Sequence, residues 1–376
     1  MAIERLQTCP LSGDEIDRFL ATHEVPIIDG ECATFLYRGE ADAVRLVHRI
    51  VELPERLPFH RLEGTDLWYL VLELPAESRV EYRLEVTRGR ESHELDDPLN
   101  PQRASNPFGS NAVCYGAGYE TPAWVHHDPE ARPGRLEELS LPSRALARDC
   151  PVTLYFPARF RTTARYPLLI VHDGGDYLRF AAAKTVLDNL IHRLDVAELV
   201  VAFLHPGDRL TEYPDDEGHA RFVTEELVPH LEDELPLVGQ PSGRGLMGSS
   251  FGAVASLSTA VRYPDRYGSL LLQSGSFVFT DIGADHGGGP VFDPVMEFVN
   301  RYRGQPTRVA DRVFVSCGTY EPLIVRNRAM VPTFRSTGME VRFVEARDGH
   351  NWENWRDRLR DGLSWSFPGP HRLYYE

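Results

Sequence analysis

A chain of 376 residues, 42% hydrophobic and 26% charged, has enough apolar side chains for two domains with ordinary cores and needs no disulfide or metal staple to fold. Its formal net charge of −16 repels nucleic acid and anionic membrane surfaces, which removes both from the expected partners. Cys9, Cys32, Cys114, Cys150 and Cys317 are odd in number and scattered, without a C-x-x-C pair, so they outline neither a disulfide framework nor a zinc site.

An early Glu4 with no apolar run behind it argues against a secretory signal, and no stretch approaches the ~18 apolar residues of a membrane span. A cytoplasmic compartment is therefore expected. Residues 12–20, with Ser12 three positions before Glu15, predict a capped helical turn. Short strands follow at 33–38, 43–48, 66–74 and 80–86, and in the last three apolar and polar residues often alternate, as in half-buried antiparallel strands. Gly39, Pro54, Pro58, Gly64, Pro75 and Gly89 punctuate them with turn chemistry. The pattern predicts a small β-sandwich over 1–118. Weak periodicity with much Pro, Gly, Asn and charge then predicts a linker over 119–150.

From residue 151 to 376 the periodicity changes. Apolar runs at 167–172, 199–204, 244–248, 269–274 and 312–317 alternate with helical stretches at 181–194, 220–235, 252–263, 326–337 and 352–363. Strands apolar on both faces, each followed by a helix, predict a mostly parallel sheet with helices on both faces. In such sheets the ligand site lies at the carboxyl ends of the strands.

At one of those ends stands Gly248-Ser249-Ser250-Phe251-Gly252, a G-x-S-x-G run between a strand and a helix. Glycines at its ends let the chain turn sharply and lift the Ser250 hydroxyl above the sheet, beside amides of the helix N-terminus. A serine nucleophile needs a base and a carboxylate to orient it, in the chain order Ser, acid, His. His350 follows the strand-like run 340–345 and precedes a Trp-rich helix, the expected late position. His286 lies in a glycine-rich loop and His371 close to the C-terminus. Glu321, in the loop after 313–317, is the expected acid, with Asp348 and Asp311 as rivals. Two amides must hold the developing oxyanion. Phe251, next to the nucleophile, supplies one, and the loop His172-Asp173-Gly174-Gly175 the other, with Gly175 favoured over Gly174 by spacing.

With these residues assembled, the sequence resembles the enterochelin (ferric enterobactin) esterase family of α/β-hydrolases along nearly its whole length. The resemblance rests on Ser143 to Arg148, the Asp173-Gly174 turn, Arg209 to Tyr213, Glu226 to Pro229, Gly248 to Gly252, Gly318 to Glu321 and Gly349-His350-Asn351-Trp352. At the last site the family usually shows Gly-Gly-His-Asp-Trp, and Asp348 and Asn351 replace its first Gly and its Asp. Trp68, Tyr82 and Asp97 to Pro101 are similar to that family's sandwich domain, where packing in the core is the simplest role for the aromatics. The resemblance implies an α/β-hydrolase domain behind an N-terminal β-sandwich, and a Ser-His-Glu esterase acting on trilactone siderophores. Feruloyl- or acetyl-type hydrolysis and acyl transfer on the same site remain alternatives. Arg209, with Arg326 and Arg328, offers a local basic rim for an anionic substrate, unless Arg209 simply pairs with Glu212. Trp352 is placed to wall the pocket, unless its i, i+3 spacing with Trp355 marks helix packing. No phosphate loop or dinucleotide fingerprint occurs, and His126, His127 and His205 lack metal-ligand spacing, so no cofactor or metal is implied. The expected partner is a small ester.

Overall fold

A computed structural model describes residues 12–280 and 289–370. Cys9, His286 and His371 lie outside them. The chain divides into two compact units. The first comprises Met1–Thr121 with two later segments, Gly318–Glu321 and Ala346–Asn351; the second holds the remainder.

The first unit opens with the helix Gly13–Thr22, whose Ser12 amide donates to the Glu15 carboxylate at 2.8 Å. It buries Ile16 against Val25, Leu36 and Leu67. Ten strands follow: β1 Ile27–Asp29, β2 Cys32–Arg38, β3 Ala43–His48, β4 Arg56–Pro58, β5 His60–Arg61, β6 Leu67–Glu73, β7 Arg79–Arg88, β8 Glu91–Leu95, β9 Arg103–Asn106 and β10 Gly109–Tyr115. They form two antiparallel sheets, β1-β2-β6-β5 and β4-β3-β7-β10-β9, with β8 also paired to β7. The alternation read in 43–48 and 80–86 is real burial: Val44, Leu46, Tyr82, Leu84 and Val86 face a core shared with Phe35, Trp68 and Leu70 of the other sheet. Trp68 and Tyr82 are core residues.

In the second unit β11 Arg135–Ser143, β12 Arg148–Phe156, β13 Leu168–Val171, β14 Val200–Leu204, β15 Arg244–Ser249, β16 Ser269–Gln273, β17 Arg312–Gly318 and β18 Glu340–Ala346 form one sheet in the order β11-β12-β14-β13-β15-β16-β17-β18. The neighbours from β14 through β13, β15 and β16 to β17 run parallel. Its two faces feed separate cores. Ile170, Leu246 and Leu270 pack on one side, and Leu169, Met247 and Leu271 on the other. Burial on both faces explains why these strands read as unbroken apolar runs. This is the α/β-hydrolase fold, preceded by an N-terminal sheet domain.

The linker expected over 119–150 needs correction. Arg135–Ser143 is an edge strand, paired antiparallel with Arg148–Phe156 along its whole length. Most of it is exposed, so its charge and Pro142 resemble linker composition, as edge strands often do. The turn between the two strands hangs on one side chain. The Glu226 carboxylate accepts from Ser143 Oγ at 2.5 Å, Arg144 N at 3.1 Å and Ala145 N at 3.0 Å. Glu226→Ala leaves those donors to find water, and we predict a loss of about 1–3 kcal/mol. Urea unfolding checks this: the midpoint falls at unchanged slope, whereas an unmoved midpoint means the three bonds add nothing net.

Candidate active site

Ser250 sits between the end of β15 and the helix Phe251–Arg262 with φ 56° and ψ −120°, a conformation that a side-chain-bearing residue adopts only when its surroundings enforce it. Glycine is a steric requirement at 248 and the better fit at 252. A Cβ on Gly248 lies 2.3 Å from the carbonyl carbon of Gly252, and one on Gly252 lies 3.1 Å from the His172 Cβ. The turn is pinned by Ser250 N donating to Gln273 O at 3.0 Å and Ser276 N donating to Ser250 O at 3.1 Å. Ser250 Oγ lies 3.1 Å from Ser276 Oγ, while Ser249 is fully buried. As a first-turn amide, Phe251 N has no acceptor in its own helix.

The second loop leaves β13 through His172 and Asp173 into the helix Gly174–Phe180. Asp173 is left-handed, with φ 55°, and is held twice: its amide donates to Tyr213 Oη at 3.0 Å, and its carboxylate accepts two bonds of 2.7 Å from Arg209. Packing leaves no room for side chains at either glycine. A Cβ on Gly174 meets the Phe203 backbone at 2.5 Å, and one on Gly175 meets His205 Nδ1 at 2.9 Å. Beneath the loop His172 is wholly buried. Its Nδ1 lies 3.1 Å from Met247 O, and its Nε2 lies 3.0 Å from His219 Nε2. Burial holds this imidazole far below the usual histidine range, and its Nδ1 also lies 3.0 Å from Ser256 Oγ.

Arg209 donates to Asp173, and Glu212, its expected ion-pair partner, accepts from Arg148 at 2.7 and 2.8 Å. The reason is geometric. A planar guanidinium satisfies a buried carboxylate through two parallel bonds, and Asp173 is the carboxylate in reach. Trp352 is 8% exposed and packs edge-on to Tyr177 and Trp355 at centroid distances of 5.2 and 4.7 Å, contacts that include the i, i+3 spacing of helix packing.

Glu321 and His350 lie on the loops that follow β17 and β18, and both belong to the first unit. Glu321 is 1% exposed. One carboxylate oxygen accepts the Gly318 amide at 2.8 Å, and the other is 2.5 Å from His350 Nδ1. A carboxylate next to Nδ1 makes that nitrogen the donor, which leaves Nε2 as the basic nitrogen of a neutral imidazole. The rival acids are occupied elsewhere. Asp348 accepts from Arg79, Gly349 and Asn351, and its carboxyl is pushed up to about 6, chiefly by burial, against the pull of Arg79. Asp311 pairs with Arg308 at the start of β17. Two neighbours carry no sequence signal: Ser276 beside Ser250, and Arg79 beneath the histidine loop. Each is a lone residue brought in by tertiary contact.

Among the described residues no group of three or more His, Cys, Asp or Glu side chains is arranged to hold a metal ion, and no helix is long and apolar enough to cross a membrane. The Esterase family, described as "Putative esterase", matches residues 143–366, the span that carries Ser250, Glu321 and His350. The chain belongs to that family. It is 25% identical to an iron(III) enterobactin esterase of Escherichia coli O6:H1 over 329 residues, covering 81% of this chain and 80% of that protein. It is 29% identical over 148 residues to the uncharacterised protein YjcH of Bacillus subtilis, a match that spans 38% of this chain and 62% of that protein. The ferric enterobactin esterase of Salmonella typhimurium shares the fold at a TM-score of 0.77 and 20% identity, over 93% of this chain and 98% of that one.

Gly248→Ala tests the elbow. The added methyl collides with backbone rather than with a movable side chain, so we predict a lower melting temperature, equivalent to about 1–3 kcal/mol, and a loss of ester hydrolysis. A variant with unchanged melting and rate means the turn tolerates a Cβ and is not built as described.

Proposed function

We propose that this esterase-family chain is a serine-type carboxylic ester hydrolase that opens trilactone siderophores. Ser250 is the nucleophile, His350 the base, Glu321 the orienting acid, and the amides of Phe251 and Gly175 the oxyanion donors. The observation that carries the reading is the strained Ser250 backbone at a strand-to-helix turn where Gly248 has no room for a Cβ and Gly252 little. Strain of this kind persists where geometry at one side chain matters. The His350–Glu321 bond supports it by presenting a neutral Nε2.

In this mechanism Ser250 Oγ attacks the ester carbonyl carbon as its proton passes to His350 Nε2. The carbonyl oxygen becomes an oxyanion and accepts the two amide hydrogens. Collapse of the tetrahedral intermediate breaks the bond to the alkoxy oxygen, which leaves as the alcohol with the proton from His350. Water then repeats the sequence, giving up its proton to His350 and releasing the acid from Ser250. Glu321 stays ionised throughout and stabilises the transient imidazolium.

The substrate class draws on the relatives named as iron(III) enterobactin esterases, which align along four-fifths of the chain. An iron-loaded trilactone is anionic, and a chain of net charge −16 needs local cations to receive it. Arg209 and Arg328 are spent on Asp173 and Glu345. Arg326 is not: its guanidinium donates to Phe279 O at 2.8 Å and lies over the Phe279 ring, with no carboxylate partner among the described residues. Phe279 stands three residues from Ser276, the neighbour of Ser250, and Arg326 held there supplies the cation this substrate calls for.

Ser250→Ala is expected to cut hydrolysis of an activated ester about 10⁴-fold or more, and Glu321→Gln to cut it less than His350→Ala. An unchanged Ser250→Ala rate overturns the reading, and the reverse order of the other two moves the acid elsewhere. A substrate panel of trilactones, iron-loaded and free, against feruloyl and acetyl esters decides the class. Preference for a trilactone supports the proposal, and preference for either simple ester contradicts it.

A further inference from the structure

Arg79 opens β7 of the N-terminal sandwich and is entirely buried. A buried guanidinium needs acceptors, and it draws two of them from the loop that carries His350. Its Nη1 donates to Asp348 Oδ1 at 3.2 Å and to Asn351 Oδ1 at 2.9 Å, and its Nη2 to Glu81 Oε1 at 2.9 Å. Asn351 Nδ2 closes a ring by donating to Asp348 Oδ1 at 2.7 Å, and the Gly349 amide donates to the same oxygen at 2.7 Å. The ring therefore grips the chain on both sides of His350. Asp348 and Asn351 are also the two positions at which this sequence departs from the Gly-Gly-His-Asp-Trp pattern of the family it resembles.

The backbone follows the same course. Arg79 N donates to Arg347 O at 2.8 Å, and Arg347 Nη1 donates to Ala76 O at 2.7 Å. The acid loop is held from the same strand end and its neighbour: Ser78 Oγ lies 2.5 Å from Tyr320 Oη, and Val51 N donates to Tyr320 O at 2.8 Å. Thr319 N to Ala346 O at 2.7 Å and Tyr320 N to Asp348 O at 3.1 Å then join the two loops directly.

We propose that Arg79 is a positioning residue for the acid–base pair: by clamping Asp348 and Asn351 it sets the His350 imidazole against Glu321, so that the sandwich is a working part of the esterase. The inference rests on the reading of His350 as the base. Loss of the clamp lets the imidazole wander from its hydrogen bond while substrate binding, which does not involve Arg79, is retained. A misplacement of about 1 Å at a reacting group costs up to roughly 100-fold in rate.

The test uses the full chain with an activated ester, reading kcat and KM separately, and reads the low-field proton resonance of His350 Nδ1–H. Arg79→Met is expected to lower kcat roughly 10- to 100-fold with little change in KM, and to weaken or broaden that resonance. Arg79→Lys, which keeps the charge but not the fork, should recover part of both. Asn351→Ala removes one arm without stranding a buried charge, so it reports even where Arg79→Met fails to fold, and should move kcat in the same direction by less. Leu84→Ala, a core change elsewhere in the sandwich, controls for lost stability and should leave kcat and the resonance near wild type. Equal kcat in Arg79→Met and Leu84→Ala, or an undisturbed resonance in Asn351→Ala with full kcat, overturns the proposal. A His350→Ala variant with the wild-type rate would instead remove the base itself, a failure of the functional reading that these comparisons keep separate.

Discussion

A carboxylate that is 1% exposed must be supplied with donors, and Glu321 receives the Gly318 amide on one oxygen and His350 Nδ1–H on the other. The second bond does most to define the chemistry. It fixes which imidazole nitrogen holds a proton, and so which one can take the proton of a hydroxyl. Much of the first unit bears on that bond. The Glu321 loop is tied to Val51 and Ser78, and the His350 loop to Ala76 and Arg79. Loops on the surface of a barrel or sheet are ordinarily the mobile part of a domain; here they are bonded to Arg79 at the start of β7 and to the turns that carry Val51, Ala76 and Ser78.

The Ser250 turn rests on a different constraint, backbone against backbone. Gly248 and Gly252 touch where any side chain would collide, and Ser250 is left with a positive φ. Asp173 also has a positive φ, in the left-handed region that aspartate tolerates, and is held there by the Tyr213 hydroxyl and the Arg209 fork. His172 packs between that loop and the first turn of the Ser250 helix. Both positive-φ residues stand at carboxyl ends of adjacent parallel strands, where the sheet offers rigid support and an open edge.

How much of this is legible in the sequence depends on whether a feature has a local cause. The strands of the central sheet are apolar on both faces, and the G-x-S-x-G turn needs its glycines for steric reasons, so both are readable in one dimension. The edge strand Arg135–Ser143 is not, because exposure gives it the composition of a loop. For Arg209 and Trp352 chain position suggests a rim and nothing of the packing around them. Their actual neighbours, Asp173 and the Tyr177–Trp355 cluster, come from elsewhere in the fold. Arg79 is the extreme case: 269 residues separate it from Asp348, and nothing in its local sequence distinguishes it from any other strand arginine.

The most direct test of the central claim is acid-quenched mass spectrometry of the chain during turnover of an activated ester, followed by peptide mapping. The account predicts a transient acyl adduct on Ser250 that accumulates when deacylation is slowed. Turnover with no covalent intermediate, or an adduct on any other residue, would contradict it.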